Sequence, residues 1–163
     1  MGSSMKIYLA SPLGFSKAGI EFYYGTFIPA IQRLGYEVID PWELTDKGKI
    51  KRIHEMPYGL KRRNAWRKIN MEIAENNRKG IDESDGLVAV LDGTDVDSGT
   101  AAEIGYGFAR GKPILGYRGD FRLSADNEGA IVNLQVEYFI RESGGTIITE
   151  VDKLQKELKR IFR

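Results

Sequence analysis

The feature that most constrains the fold is a regular alternation of short β-rich runs with longer segments of helical periodicity. Runs of apolar and β-branched residues predict five strands, at residues 6–10, 37–39, 87–91, 113–117 and 146–149. Helical patterns follow them, at residues 18–34, 61–83, 98–110, 127–142 and 152–162. Strands that alternate with helices pair in parallel and are covered by helices on both faces. The sequence therefore predicts an α/β fold, doubly wound around a mostly parallel sheet of five strands.

The size and charge of the chain indicate one domain and a small ligand. Its 163 residues suffice for a single core. We interpret residues 1–4 as an expression remnant that precedes one domain at residues 5–163. The 24 Lys and Arg side chains nearly balance the 23 Asp and Glu side chains, which gives a net charge of +1. This balance favours neither nucleic acid nor an anionic membrane as a partner.

Two compositional absences narrow the chemistry. The chain has no cysteine, which excludes disulfides, thiolate catalysis and Cys-based zinc sites and is typical of a cytoplasmic protein. No apolar run approaches the ~20 residues that a membrane-spanning helix needs. We therefore expect a cytoplasmic protein that has no membrane partner.

A carboxylate, Glu103, lies within a helical run that is otherwise small and apolar. The run follows the predicted strand at residues 87–91, and ligands of open α/β sheets bind at the carboxyl ends of strands. Glu103 is either a core carboxylate satisfied by a neighbouring Tyr or Arg, or a reactive group. Burial would raise its pKa and suit acid chemistry, whereas hydrogen bonds would keep it ionised and nucleophilic. Asp97 begins the same helix, as a cap, a catalytic acid or both.

Other chemistries lack their motifs. The acidic cluster at residues 92–97 lacks the glycine and the bidentate glutamate of an EF-hand, so we expect no metal site. The chain contains no phosphate-binding loop and no Gly-x-Ser-x-Gly nucleophile elbow, and we expect no cofactor. Two carboxylates near one strand end then favour acid, base and nucleophile chemistry at a glycosidic carbon.

One segment departs from the alternating pattern. Residues 47–68 are rich in Lys and Arg and include the one histidine of the chain, His54. We interpret the segment as a solvated loop that runs into an amphipathic helix, or as a lid over the site, because long loops in compact domains are often functional.

Several motifs together resemble the nucleoside 2-deoxyribosyltransferase family. They are Ile-Tyr-Leu-Ala-Ser-Pro at residues 7–12, Ser-Asp-Gly at 84–86, Asp-x-Gly-x-x-x-Glu-x-Gly at 97–105, Arg-Gly-Asp-Phe-Arg at 118–122 and Val-Asn-Leu at 132–134. The resemblance implies a flavodoxin-like (Rossmann-like) fold. It also implies exchange of the purine or pyrimidine base on a 2-deoxyribonucleoside, through a covalent glycosyl intermediate and with net retention.

The resemblance assigns roles to individual residues. Glu103 is the expected nucleophile, Asp97 the group that hydrogen-bonds the base and moves its proton, and Tyr8 the group that orients Glu103. Asn133 matches the family residue that reaches the sugar hydroxyls across a subunit interface, which implies a homo-oligomer of at least two chains with shared sites. The further substrate-binding residues that we expect are Ser11, Phe15, Asn77, Gly99 and Asp120.

The chain departs from the family pattern at Asn77, where many members have an aspartate. An amide can hydrogen-bond a base but cannot carry its proton, so proton transfer would depend more on Asp97. A hydrolase that cleaves 2-deoxynucleoside 5-monophosphates is an alternative, with phosphate contacts from Ser11, Arg118, Arg122 or residues 47–68. A non-catalytic nucleoside-binding domain is another, because fold alone does not fix function.

Overall fold

The computed structural model describes residues 4–162 and contains one five-stranded sheet. The residues at 1–3 of the expected remnant, and Arg163, lie outside the described part of the chain. The strands are β1 (Lys6–Ala10), β2 (Glu37–Ile39), β3 (Gly86–Val90), β4 (Ile114–Tyr117) and β5 (Ile147–Ile148). Their order is β2-β1-β3-β4-β5 and all four pairings are parallel. This is the doubly wound, flavodoxin-like order, so the predicted fold class is confirmed.

Helices cover both faces of the sheet. They are α1 (Lys17–Phe22), α2 (Ile28–Gln32), α3 (Lys47–Glu55), α4 (Leu60–Glu83), α5 (Ser98–Ala109), α6 (Leu134–Glu142) and α7 (Leu154–Ile161). None of the described helices combines the length and the apolar character that crossing a membrane requires.

The alternation of side chains along β1 divides the core into two layers. Ile7 and Leu9 pack with the layer that contains residues of α2 and α7, whereas Tyr8 and Ala10 pack with the layer that contains residues of α5 and α6. All four side chains are fully buried. As a result, the Tyr8 side chain lies on the side of the sheet that α4 and α5 cover.

Two of the predicted helices differ from those in the structure. The helix expected at residues 18–34 is interrupted by a π-helical turn, Tyr23–Phe27, in which the Ile28 amide bonds to the carbonyl of Tyr23. Pro29 follows directly and has no N–H to continue the regular ladder. The helix expected from residue 127 begins only at Leu134, because Asn133 caps it and the preceding loop includes Gly129 at φ +90°.

The basic segment is also more helical than expected. Its first part forms α3, which Asp46 caps by accepting a hydrogen bond from the Gly48 amide at 2.7 Å. After four intervening residues α4 begins, and Gly59 stands before its first residue. The expectation of a loop over residues 47–55 was therefore wrong, because the Asp46 cap starts a helix there.

Candidate active site

A buried tyrosine on β1 holds the carboxylate of α5. The Tyr8 hydroxyl donates a hydrogen bond to Glu103 Oε1 at 2.7 Å. Asn77, on α4, directs its Nδ2 to the same oxygen at 3.4 Å, which makes a much weaker contact. Both contacts therefore involve Oε1, and within residues 4–162 no hydrogen bond involves Oε2 of Glu103.

Asp97 begins α5 and keeps one oxygen available. Its Oδ2 accepts from the Thr100 amide at 2.9 Å and from the Thr100 hydroxyl at 3.2 Å. This is an N-cap, and it orients the carboxylate. Oδ1 of Asp97 has no hydrogen-bond partner in the described part of the chain, so it can meet a ligand.

Asn77 carries an unsatisfied acceptor. Its Oδ1 is buried and has no hydrogen-bond partner among residues 4–162. Buried amide oxygens in folded proteins are almost always paired. An unpaired one beside Glu103 is suited to accept from a ligand N–H or O–H group.

The electrostatic environment sets Glu103 apart from an ordinary surface glutamate. Burial raises the pKa of Glu103 to about 7, and the negative charge of Asp97 acts in the same direction, against the hydrogen bond from Tyr8. Burial and the charge of Glu103 also raise the pKa of Tyr8 far above its ordinary value. Tyr8 therefore stays protonated and remains a donor, while Glu103 changes its charge near neutral pH.

Asn77, Asp97 and Glu103 line a cavity of about 400 Å³ at the carboxyl ends of β1 and β2. The cavity is close to the switch point between β1 and β3, where ligands of doubly wound sheets bind. Six of the expected site residues line it: Ser11, Phe15, Asn77, Asp97, Gly99 and Glu103. Sequence reasoning missed five others: Pro41, Trp42, Asn70, Ile73 and Thr100.

Two signals in the sequence point to four of the five missed residues. Pro41 and Trp42 follow the end of β2, the strand that pairs with β1, so they lie at the same edge of the sheet as Ser11. Asn70 and Ile73 precede Asn77 by seven and four residues, so all three share one face of α4. Both signals, the position after a strand end and the helical spacing from Asn77, are present in the sequence.

Phe15 and Trp42 form an aromatic wall of the cavity, and Asp40 holds Trp42 in place. This buried carboxylate accepts hydrogen bonds from the Tyr23 hydroxyl at 2.9 Å, the Tyr24 hydroxyl at 2.8 Å and the Trp42 amide at 3.0 Å. The Trp42 ring meets Phe15 edge-to-face, with 4.8 Å between centroids. A methyl group on Gly14 would lie 2.3 Å from that ring, so the indole occupies the space that the glycine leaves.

Two expected site residues lie elsewhere in the chain. Asn133 caps α6, accepting from the Gln135 amide at 3.0 Å, and donates to Asp126 at 3.0 Å. Asp120 pairs with Arg122. Neither lines the cavity, and a role for Asn133 at the site of another subunit stays a prediction.

The arginine of the same motif has a structural position. Arg118 is buried, and its guanidinium donates to the carbonyls of Leu91, Gly93 and Arg122. It therefore ties the loops after β3 and β4 together, and it does not line the cavity.

The fold and the site define an α/β protein with a carboxylate-based site at the ends of its strands. The family model described as "Nucleoside 2-deoxyribosyltransferase" matches residues 7–135, and the chain belongs to that family. An uncharacterized protein of Schizosaccharomyces pombe is 29% identical over 183 residues, with 88% of this chain and 81% of that protein covered.

Solved structures share the fold. A conserved protein from Enterococcus faecalis is 27% identical with a TM-score of 0.69, covering 97% of this chain and 99% of that one. A 2-deoxyribosyltransferase from Bacillus psychrosaccharolyticus is 23% identical, with a TM-score of 0.62 and coverage of 92% and 90%. A CMP N-glycosidase from Clostridium botulinum is 17% identical, with a TM-score of 0.51 and coverage of 95% and 98%.

Proposed function

We propose that the protein exchanges the base of 2-deoxyribonucleosides through a covalent glycosyl–Glu103 intermediate. The observation that carries the proposal is the position of Glu103, desolvated, held on Oε1 by Tyr8, and facing a nucleoside-sized cavity beside Asp97. Membership of the family supports the same reaction.

In the first step, ionised Glu103 attacks the anomeric carbon through Oε2, the oxygen that is free of the Tyr8 bond. The C–N bond breaks, its electron pair goes to the base nitrogen, and Asp97 hydrogen-bonds the leaving base and relays to it a proton taken from water. The ester between Glu103 and the sugar is the intermediate.

In the second step, Asp97 takes the N–H proton of an incoming base. The base nitrogen attacks the anomeric carbon, the ester bond breaks, and Glu103 is released as a carboxylate. Two inversions give net retention. Asn77 cannot carry a proton, so in this proposal its Oδ1 accepts a hydrogen bond from the nucleoside.

The walls of the cavity support an uncharged nucleoside as the substrate. Phe15, Trp42 and Ile73 offer apolar surface for a planar base, and Gly99 leaves space beside the sugar. Among residues 4–162, no Lys or Arg lines this cavity. Arg78 lines a neighbouring cavity of about 220 Å³, where it pairs with Glu75 and Asp82.

The monophosphate hydrolase is the second candidate, supported by the fold shared with a CMP N-glycosidase. Of the phosphate contacts expected for it, Ser11 alone lines the cavity within the described chain, and its hydroxyl accepts from the Leu13 amide at 3.1 Å. The transferase therefore stays the favoured function.

The test incubates the protein with a 2-deoxyribonucleoside and a second free base, and follows products by chromatography. We expect a new nucleoside, and its loss in Glu103→Ala. Glu142→Gln, which removes an exposed carboxylate of α6, is the matched control and should keep full activity. Free deoxyribose phosphate released from a monophosphate, without a new nucleoside, would support the hydrolase, and no product from any donor would support a binding domain.

A further inference from the structure

The positive charge of the chain is concentrated in one hairpin of helices. Residues 47–68 hold nine of the 24 Lys and Arg side chains and one of the 23 Asp and Glu side chains, so the segment carries +8 and the rest of the chain −7. The balanced total hides this separation. The positive electrostatic potential around this segment attracts anions, and this attraction does not depend on the reaction in the cleft.

Most of these cations have no acidic partner in the described part of the chain. Lys47, Lys49 and Lys51 pair with glutamates. Six others form no ion pair with an acidic side chain within residues 4–162: Arg52, Lys61, Arg62, Arg63, Arg67 and Lys68. A set of unneutralised guanidinium groups is the arrangement that binds phosphate.

Two aromatic rings accompany the arginines in a cavity of about 310 Å³, lined by Tyr58, Gly59, Arg62, Arg63 and Trp66. The Arg62 guanidinium lies over the Tyr58 ring, 4.3 Å from its centroid, and donates to the Met56 carbonyl at 3.0 Å. The Trp66 ring is held edge-to-face by His54, with 4.8 Å between centroids. The Tyr58 side chain is 92% exposed, which leaves a ring face free to stack.

This cavity is separate from the reaction cleft but lies on the same helix. The two share no lining residue. Along α4, Trp66 precedes Asn70, the nearest cleft residue on that helix, by four positions, which is about 6 Å along the axis.

We propose that Tyr58, Arg62, Arg63 and Trp66 form a second site, which binds a nucleoside phosphate. The base stacks on an aromatic ring and the phosphate accepts hydrogen bonds from the two guanidinium groups. An uncharged nucleoside lacks the phosphate, and inorganic phosphate lacks the base. The site therefore selects the combination of both groups, whatever reaction the cleft performs.

The chain offers a direct optical test, because it has two tryptophans and they lie in different cavities. In the Trp42→Phe background, indole fluorescence reports on Trp66 alone. We expect saturable quenching when thymidine monophosphate is added. Thymidine and inorganic phosphate at equal concentration should cause little change.

Substitutions then assign the site. Arg62→Ala and Arg63→Ala should each weaken binding about tenfold or more, because each removes a charge-assisted contact. The double variant Lys156→Ala/Lys159→Ala removes two exposed cations of α7 and should bind normally. Melting temperatures equal to that of the parent would show that the arginine variants are folded.

Four results would overturn the proposal. They are the absence of quenching at millimolar nucleotide, equal quenching by inorganic phosphate, equal loss of binding in the α7 double variant, and binding of single-stranded oligonucleotides without binding of the mononucleotide. The last result would identify the hairpin as a surface for polynucleotides. Base exchange in the cleft is assayed separately, so failure here leaves the proposed function standing.

Discussion

Replacement of Glu103 by glutamine should stabilise the fold, and increasingly so as the pH rises. The folded protein holds a proton on Glu103 up to a pKa of about 7, whereas the unfolded chain releases it near the ordinary value of 4.5. Between these values the folded state binds more protons, so the free energy of unfolding falls as the pH rises. Glutamine keeps the shape of the side chain and stays neutral throughout.

The size of the effect follows from the separation of the two pKa values. One pKa unit corresponds to about 1.36 kcal/mol, so ionised Glu103 costs about 3 kcal/mol at about pH 8 and under about 1 kcal/mol at about pH 5. The advantage of Glu103→Gln over the parent should therefore grow by about 2 kcal/mol across this range. Any fixed cost of changing the bond with Tyr8 does not vary with pH and cancels from the difference.

Urea unfolding, followed by circular dichroism at several pH values from about 5 to 8, measures this difference. Glu142→Gln, at an exposed position, should show no such growth. A difference between parent and Glu103→Gln that stays flat with pH would refute the argument, because it would mean that Glu103 has an ordinary pKa in the folded protein.

Three further predictions concern activity. kcat/KM for base exchange should rise with pH through about 7, as Glu103 becomes ionised, and a pH profile without an inflection there would contradict its role as nucleophile. An inactive Asn133→Ala variant mixed with inactive Glu103→Ala should regain part of the activity if subunits share sites, and mixtures as inactive as their components would contradict a shared site. Asp40→Asn should raise KM more than it lowers kcat, since it loosens Trp42 without touching the reacting atoms, and measured constants that show the reverse would mean that Asp40 acts on the chemical step.

Much of the sheet could be predicted because each strand has its own local signal. The buried apolar run of β3 is read to within one residue, and Glu103 is placed past the end of that strand by chain order alone. The start of α6 could not be read in this way. The predicted helix included residues 127–133. In the structure the cap at Asn133 and the positive φ of Gly129 instead set the start of α6 at Leu134.

The parts of the site that were missed depend on contacts between distant segments. Trp42 lines the cavity because Asp40 is bound by two tyrosines that lie 16 and 17 positions earlier in the chain. The Oδ1 atom of Asn77 is unpaired because no donor among residues 4–162 reaches it. The local sequence pattern predicts neither the position of Trp42 nor the unpaired oxygen of Asn77, because both depend on how the elements pack.

The π-helical turn at Tyr23–Phe27 affects the geometry of the site, because it contains both tyrosines that bind Asp40. Removal of one residue after Tyr24 would regularise the hydrogen-bond ladder, but it would also rotate both tyrosines by about 100° relative to α2. Asp40 would then lose its phenol donors and part of its hold on the loop after β2. The turn and that loop therefore form a single heritable unit, and a chimera between relatives should exchange them together.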